Sequence, residues 1–295
     1  MSSRVGHFRT EQGRAAYLRP YEAAMSELPP PDRTHDLPTS FGTVRAYEWS
    51  GPADAPETAI LLVPGRSSGA PMWSANLPGF LATHRVFAFD ALGDAGLSVQ
   101  NTPFTHFDDQ AQWIAEAVVA LTSGRVHVVG HSFGGATAVT YARVHPERVA
   151  SLVALEPVFT FAWPPPWVFF WTTVGALPFV SRSLREKALG RIGGEDFASA
   201  REDPTAQMIA AGTEHFVAAL PTPRLLSDVT ATPLSMPVYV AIAARDSLAG
   251  GDRAAARARR LLPDATVTVW PDTTHSLPMQ VPEALGAALR AFWKA

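Results

Sequence analysis

Residues 126–145, VHVVGHSFGGATAVTYARVH, constrain the fold more than any other part of the chain. A β-branched run, VHVV, meets a turn punctuated by glycines, and an alanine-rich helical stretch, GATAVTYARV, follows at once. The turn Gly130-His131-Ser132-Phe133-Gly134 matches the pattern G-x-S-x-G. In that pattern the serine sits on a strained bend between strand and helix, and the glycines leave room for neighbouring elements. The hydroxyl then stands above the sheet, near a helix N-terminus that favours developing negative charge.

Similar punctuation recurs along the chain. Ala59–Val63, AILLV, is a continuous apolar run, as expected of a strand buried on both faces of a parallel sheet. Phe41–Trp49, Val86–Phe89, Val149–Leu155, Val238–Ala243 and Thr266–Trp270 read as further strands. Helices are expected over Thr10–Glu27, Ala111–Leu121, about Gly135–His145, Arg253–Leu262 and Pro282–Trp293. Strands alternating with helices give a mostly parallel sheet covered on both faces. From Val158 to about Met236 the rhythm breaks into an aromatic start and two helical patterns, around Ser183–Ile192 and Thr205–Leu220. The expected division is an N-terminal helical extension (1–38), a core (39–157 and 237–295) and a helical lid inserted at 158–236.

Composition narrows the function. The chain has 295 residues, 47% of them hydrophobic, which is enough to bury a large core. Charged residues make up 17% and the net charge is −3, so no nucleic-acid partner is expected. The cluster Arg253–Arg260 reads as the wet side of an alanine-rich helix. With no cysteine, the chain has no disulfide, thiolate metal site or cysteine nucleophile, and no metal is expected. Trp163–Val180 carries no charge, but Pro164, Pro165, Pro166, Gly175 and Pro178 interrupt it, so a greasy lid is expected rather than a stable membrane span. The first residues, MSSRVGHFRTEQGR, lack the apolar stretch of a secretory signal, and a cytoplasmic location is expected.

A serine hydroxyl needs a base to take its proton. His275, in PDTTHSLP after the strand VTVW, falls on a loop at the same sheet edge as Ser132. The imidazole needs a carboxylate to fix its tautomer. Asp246, after the strand PVYVAIA, is favoured, and Glu156, at the end of the strand that follows the nucleophile helix, is its rival. Oxyanion donors are expected from the main-chain N–H groups of Phe133 and of Arg66, in the loop Pro64–Gly69. Trp163, Trp167, Phe170 and Trp171 are expected to line an apolar substrate pocket under the lid.

Taken together, VPGRSSGAPMW, FDALGDAGLS, VVGHSFGG, AARD and TTHS resemble, in content and order, the α/β-hydrolase superfamily over roughly Thr39–Ala295 without the lid. The resemblance implies an eight-stranded, mostly parallel sheet and cofactor-free cleavage of an ester or related acyl bond. Two departures bear on the pocket mouth. Pro64-Gly65 stands where many members carry His-Gly, and Asp90–Ser98 carries one residue more than the D-x-x-G-x-G-x-S pattern. Members with an aspartate nucleophile fit poorly, since serine occupies the elbow. The expectation is a serine esterase-like hydrolase acting on a small, mainly apolar acyl substrate, its oligomeric state open. The alternatives are a non-hydrolytic enzyme on the same fold (lyase, acyltransferase, cofactor-free haloperoxidase or tailoring cyclase) and a ligand-sensing protein.

Overall fold

A computed structural model describes residues 5–176, 180–194, 202–231 and 234–294. Its strands are β1 (His7–Phe8), β2 (Arg33–Thr39), β3 (Gly42–Trp49), β4 (Ala59–Val63), β5 (Val86–Phe89), β6 (Val99–Gln100), β7 (Val126–His131), β8 (Val149–Leu155), β9 (Phe216–Val217), β10 (Val238–Ala243) and β11 (Thr266–Trp270). Its helices are α1 (Glu11–Met25), α2 (Leu77–Leu81), α3 (Asp109–Leu121), α4 (Phe133–Val144), α5 (Pro166–Ala176), α6 (Arg182–Gly193), α7 (Pro204–His215), α8 (Asp228–Ala231), α9 (Gly251–Leu261), α10 (Leu277–Gln280) and α11 (Pro282–Lys294).

The main sheet runs β11-β10-β8-β7-β4-β5-β3-β2, and the two-residue β6 pairs with β3 as a short ninth strand. Every pairing from β5 to β11 along this path is parallel, while β3 runs antiparallel to β5, β2 and β6. The apolar run of β4 has its reason in the two layers. Ala59, Leu61 and Val63 face a core with Trp113, Ile114 and Ala138 from α3 and α4 and Ala254 from α9. Ile60 and Leu62 face the opposite core, with Phe80 of α2 and Leu285 and Leu289 of α11. A strand buried on both sides leaves no polar position to alternate. Helix α9 shows the other period: Ala254, Ala255, Ala258 and Leu261 form its buried face, and Arg253, Arg259 and Arg260 are exposed. Gly250 is its N-cap, with Asp252 inside the first turn.

Several elements depart from the sequence expectation. Arg33–Thr39 is an edge strand in which Leu37 alone is buried, so it presents no apolar alternation to read. The two-residue strands β1 and β9 pair antiparallel and join the N-terminal segment to the lid region. Helix α1 continues that junction: its Tyr17 and Tyr21 share an apolar cluster with Ala95 and with Met208 of α7. Thr10 caps α1, its Oγ1 accepting the Gly13 N–H at 2.9 Å. Within 158–236, residues 177–179, 195–201 and 232–233 lie outside the described residues. Among the described residues, no helix is long and apolar enough to cross a membrane.

Candidate active site

Strand β7 passes directly into α4 through Ser132, whose backbone holds φ 57° and ψ −120°. A non-glycine residue there is strained, and such strain persists only where its surroundings enforce it. The surroundings are close: a Cβ on Gly134 would lie 2.2 Å from the Pro64 carbonyl oxygen, and one on Gly130 would lie 2.3 Å from that of Gly134. The Ser132 N–H donates to Leu155 O at 2.9 Å, tying the bend to β8. Position 133 opens the helix, where a main-chain N–H has no intrahelical acceptor.

His275 lies between β11 and α10 and is buried beside Ser132. Its Nε2 is 2.8 Å from Ser132 Oγ and its Nδ1 is 3.1 Å from Glu156 Oε2. The carboxylate fixes the tautomer: Nδ1–H donates to Glu156, which leaves Nε2 to accept the serine proton. Glu156 follows β8, the strand between β7 and β10, and is fully buried. Its Oε1 accepts from the Ala243 N–H at 2.7 Å and from Ser247 Oγ at 2.8 Å, and its Oε2 accepts from the Ala249 N–H at 3.3 Å.

Glu156, not the favoured Asp246, is therefore the carboxylate that meets the imidazole. Asp246 sits exposed in the turn after β10 at φ 43°. That turn wraps the Glu156 carboxylate with its main chain and Ser247, so its own acidic side chain faces outward. The sequence signal for Glu156 is a lone charge at the end of a mostly apolar, mostly buried strand, VASLVAL.

Sequence alone assigns no role to His131, the residue before the serine. Its Nε2–H donates to the His275 carbonyl oxygen at 2.9 Å and its ring lies 4.9 Å from the His275 ring. Burial, then the neighbouring His275, push its pKa down to about 3, so it is neutral. It braces the loop that carries His275.

The loop after β4 runs beside the elbow. A Cβ on Gly65 would lie 3.4 Å from Ser132 Cβ. The Arg66 guanidinium lies over the Phe133 ring, 5.6 Å from its centroid. The structure thus brings the two expected oxyanion residues together next to Ser132.

Ser132 and His275 open onto a cavity of about 930 Å³. Phe159, Pro164, Val168, Phe169, Leu220 and Leu248 line it, and Arg9 from the N-terminal segment reaches it. The expected lid aromatics do not. Trp163 and Phe170 are exposed, Trp167 is half-buried behind the lining residues Val158, Val168 and Leu248, and Trp171 is half-buried outside the lining. The reason is helical phase. Within α5, Val168 and Phe169 face the cavity, which turns Trp167, Phe170 and Trp171 to other sides. Among the described residues, no group of three or more metal-binding side chains converges.

Residues 60–288 match the sequence profile described as "Alpha/beta hydrolase family". A protein of Bacillus subtilis (strain 168), "Uncharacterized carboxylesterase nap", is 29% identical over 145 residues, covering 49% of this chain and 47% of that protein. The chain thus spans about half the length of this curated relative. Two solved structures from Bacillus subtilis are similar in fold. Naproxen esterase (carboxylesterase NP) superposes with a TM-score of 0.84 at 22% identity, covering 95% of this chain and 97% of that one. Carboxylesterase CesB (YbfK) gives 0.85 at 22% identity, covering 96% and 98%.

Proposed function

The chain belongs to the α/β-hydrolase family, and from that premise we propose that it is a serine hydrolase cleaving an ester or related acyl bond of a small, mainly apolar substrate. Ser132 is the nucleophile, His275 the base and Glu156 the acid of the triad. The observation that carries the proposal is the relay of 2.8 Å and 3.1 Å from Ser132 Oγ through His275 to a fully buried Glu156, at the wall of a 930 Å³ cavity. The carboxylesterase name of the Bacillus subtilis relative supports the same reaction class.

Each step has its group. His275 Nε2 takes the hydroxyl proton as Ser132 Oγ attacks the acyl carbon. The negative charge that moves to the carbonyl oxygen is met by the main-chain N–H groups of Phe133 and Arg66. Glu156 stabilises the imidazolium, which then protonates the leaving group. Water enters, loses its proton to the same nitrogen, and releases the acid and the free serine. The apolar wall formed by Phe159, Val168, Phe169 and Leu248 favours an apolar acyl or alcohol group.

The test is a panel of 4-nitrophenyl esters with acetyl, butyryl and octanoyl chains. The parent protein should hydrolyse at least the shorter ones. Ser132→Ala should lower kcat by about a thousandfold or more. Parental turnover in that variant would remove serine from the mechanism.

A further inference from the structure

We propose that Asp94 is a positioning residue of the oxyanion site, holding the main chain beside Arg66 in the geometry that aims its N–H at the reacting oxygen. This rests on the serine-hydrolase reading above and deepens it. Asp94 lies in the loop after β5 and is buried, with 3% of its surface exposed. Its Oδ2 accepts the Ser67 N–H at 2.9 Å, one residue beyond the donor at Arg66. The same oxygen is 3.4 Å from Arg66 Nε. Its Oδ1 accepts the Ala95 N–H at 2.8 Å, which sets the carboxylate's direction.

Two features make this hold necessary. Ser67 sits at φ 60°, a conformation that a serine leaves unless something fixes it. The Ser67 N–H belongs to the peptide plane that joins Arg66 to Ser67. Fixing its direction therefore fixes ψ at Arg66 and limits how far the adjoining Arg66 N–H can turn. The far end of the loop has its own anchor, since the Ala70 N–H donates to Asp90 Oδ1 at 2.8 Å. The donor at Arg66 lies directly before the Ser67 anchor, so the hold nearest to it is the one Asp94 makes.

A carboxylate this near a developing oxyanion would repel it if left uncompensated. The Arg66 guanidinium, pinned between Asp94 and the Phe133 ring, offsets that charge. The pair therefore anchors the loop without adding a net negative charge to the site.

The test uses the full-length protein, 4-nitrophenyl butyrate as substrate and phenyl trifluoromethyl ketone as a transition-state mimic. Ser132 Oγ adds to the ketone carbon, its proton passes to His275, and the former carbonyl oxygen carries the negative charge. Loss of an oxyanion donor outright costs about a hundredfold to a thousandfold in kcat, and a misaimed donor costs less. Asp94→Ala should lower kcat roughly tenfold to a hundredfold and leave KM within about threefold, and ketone affinity should fall in step with kcat/KM. Asp94→Asn retains an oxygen that accepts the Ser67 N–H and should keep kcat within about fivefold. A merely structural role would lower the Tm without this split between kcat and KM. Asp94→Ala at parental Tm, with kcat and ketone affinity within about threefold of the parent, would overturn the proposal. Should Asp94→Ala lack a cooperative thermal transition, Asp94→Asn decides: retained kcat supports the anchor, and a tenfold loss at parental Tm overturns it. Ser132→Ala in the same assay tests the underlying reaction separately. Parental turnover there would sink the serine mechanism whatever Asp94 does.

Discussion

Glu156 and Asp246 differ by one methylene, and their places in the sheet decide which one serves His275. Strand β8 lies between the nucleophile strand and β10, so a long acidic side chain at its end reaches the imidazole from beneath the loop after β10. A shorter side chain one strand further out, in an exposed turn, does not. Glu156→Gln should therefore lower kcat by about a hundredfold to ten-thousandfold, because the amide no longer enforces the Nδ1–H tautomer. Asp246→Asn should leave kcat within about twofold. Ester hydrolysis by the two purified variants checks both, and the opposite ranking would return the role to Asp246. Ser132 and His275 were legible because each follows a strand within a short motif. The choice of acid was not, because two carboxylates follow parallel strands at the same sheet edge and burial alone separates them.

At the scale of elements, the strands Val149–Leu155, Val238–Ala243 and Thr266–Trp270 were legible to the residue, because short runs rich in β-branched or apolar residues are bounded by turn residues. The edge strand β2 was not, since an edge position needs no apolar pattern. Nor was the facing of α5, where apolar residues on all sides give no direction to the helix and packing sets its phase. That phase yields a prediction. Phe169→Ala should raise KM for 4-nitrophenyl octanoate several-fold, while Phe170→Ala, on the exposed side, should leave it within about twofold. Equal effects of the two would contradict the observed facing. The role of α1 could not be read from its own sequence, because its partners lie far along the chain. Tyr21 OH donates to Asp90 Oδ2 at 2.9 Å and lies 2.7 Å from Tyr47 OH, all three residues buried. Burial holds the Tyr21 phenol far above its ordinary pKa, so it remains a donor throughout the working range. Removing that hydroxyl leaves Asp90 short of a donor, and Tyr21→Phe should cost about 1–3 kcal/mol in urea unfolding.

Across the whole molecule, neutral histidines, one buried and one half-buried, link stability to pH. His131 is pushed down to about 3 and His127 to about 4, each chiefly by burial. In the unfolded chain each takes a proton near pH 6.5, whereas the folded chain does not until pH falls much further. Stability is therefore complete above about pH 6.5 and is lost as the pH falls toward these folded values. His131 alone should remove roughly 2 kcal/mol between pH 7 and pH 5. Urea unfolding at the two pH values checks this, and an unchanged free energy would contradict the buried neutral state. The Ser132–His275–Glu156 relay draws its groups from loops after β7, β8 and β11, so bringing them together requires the half of the sheet formed by β11-β10-β8-β7. Labelling with a fluorophosphonate tests that assembly most directly, since an activated serine displaces fluoride from phosphorus and keeps the adduct. Peptide mass spectrometry should find one adduct per chain, on Ser132, with much slower labelling in His275→Ala. An unlabelled Ser132 in the folded protein, or labelling unaffected by loss of His275, would contradict the triad.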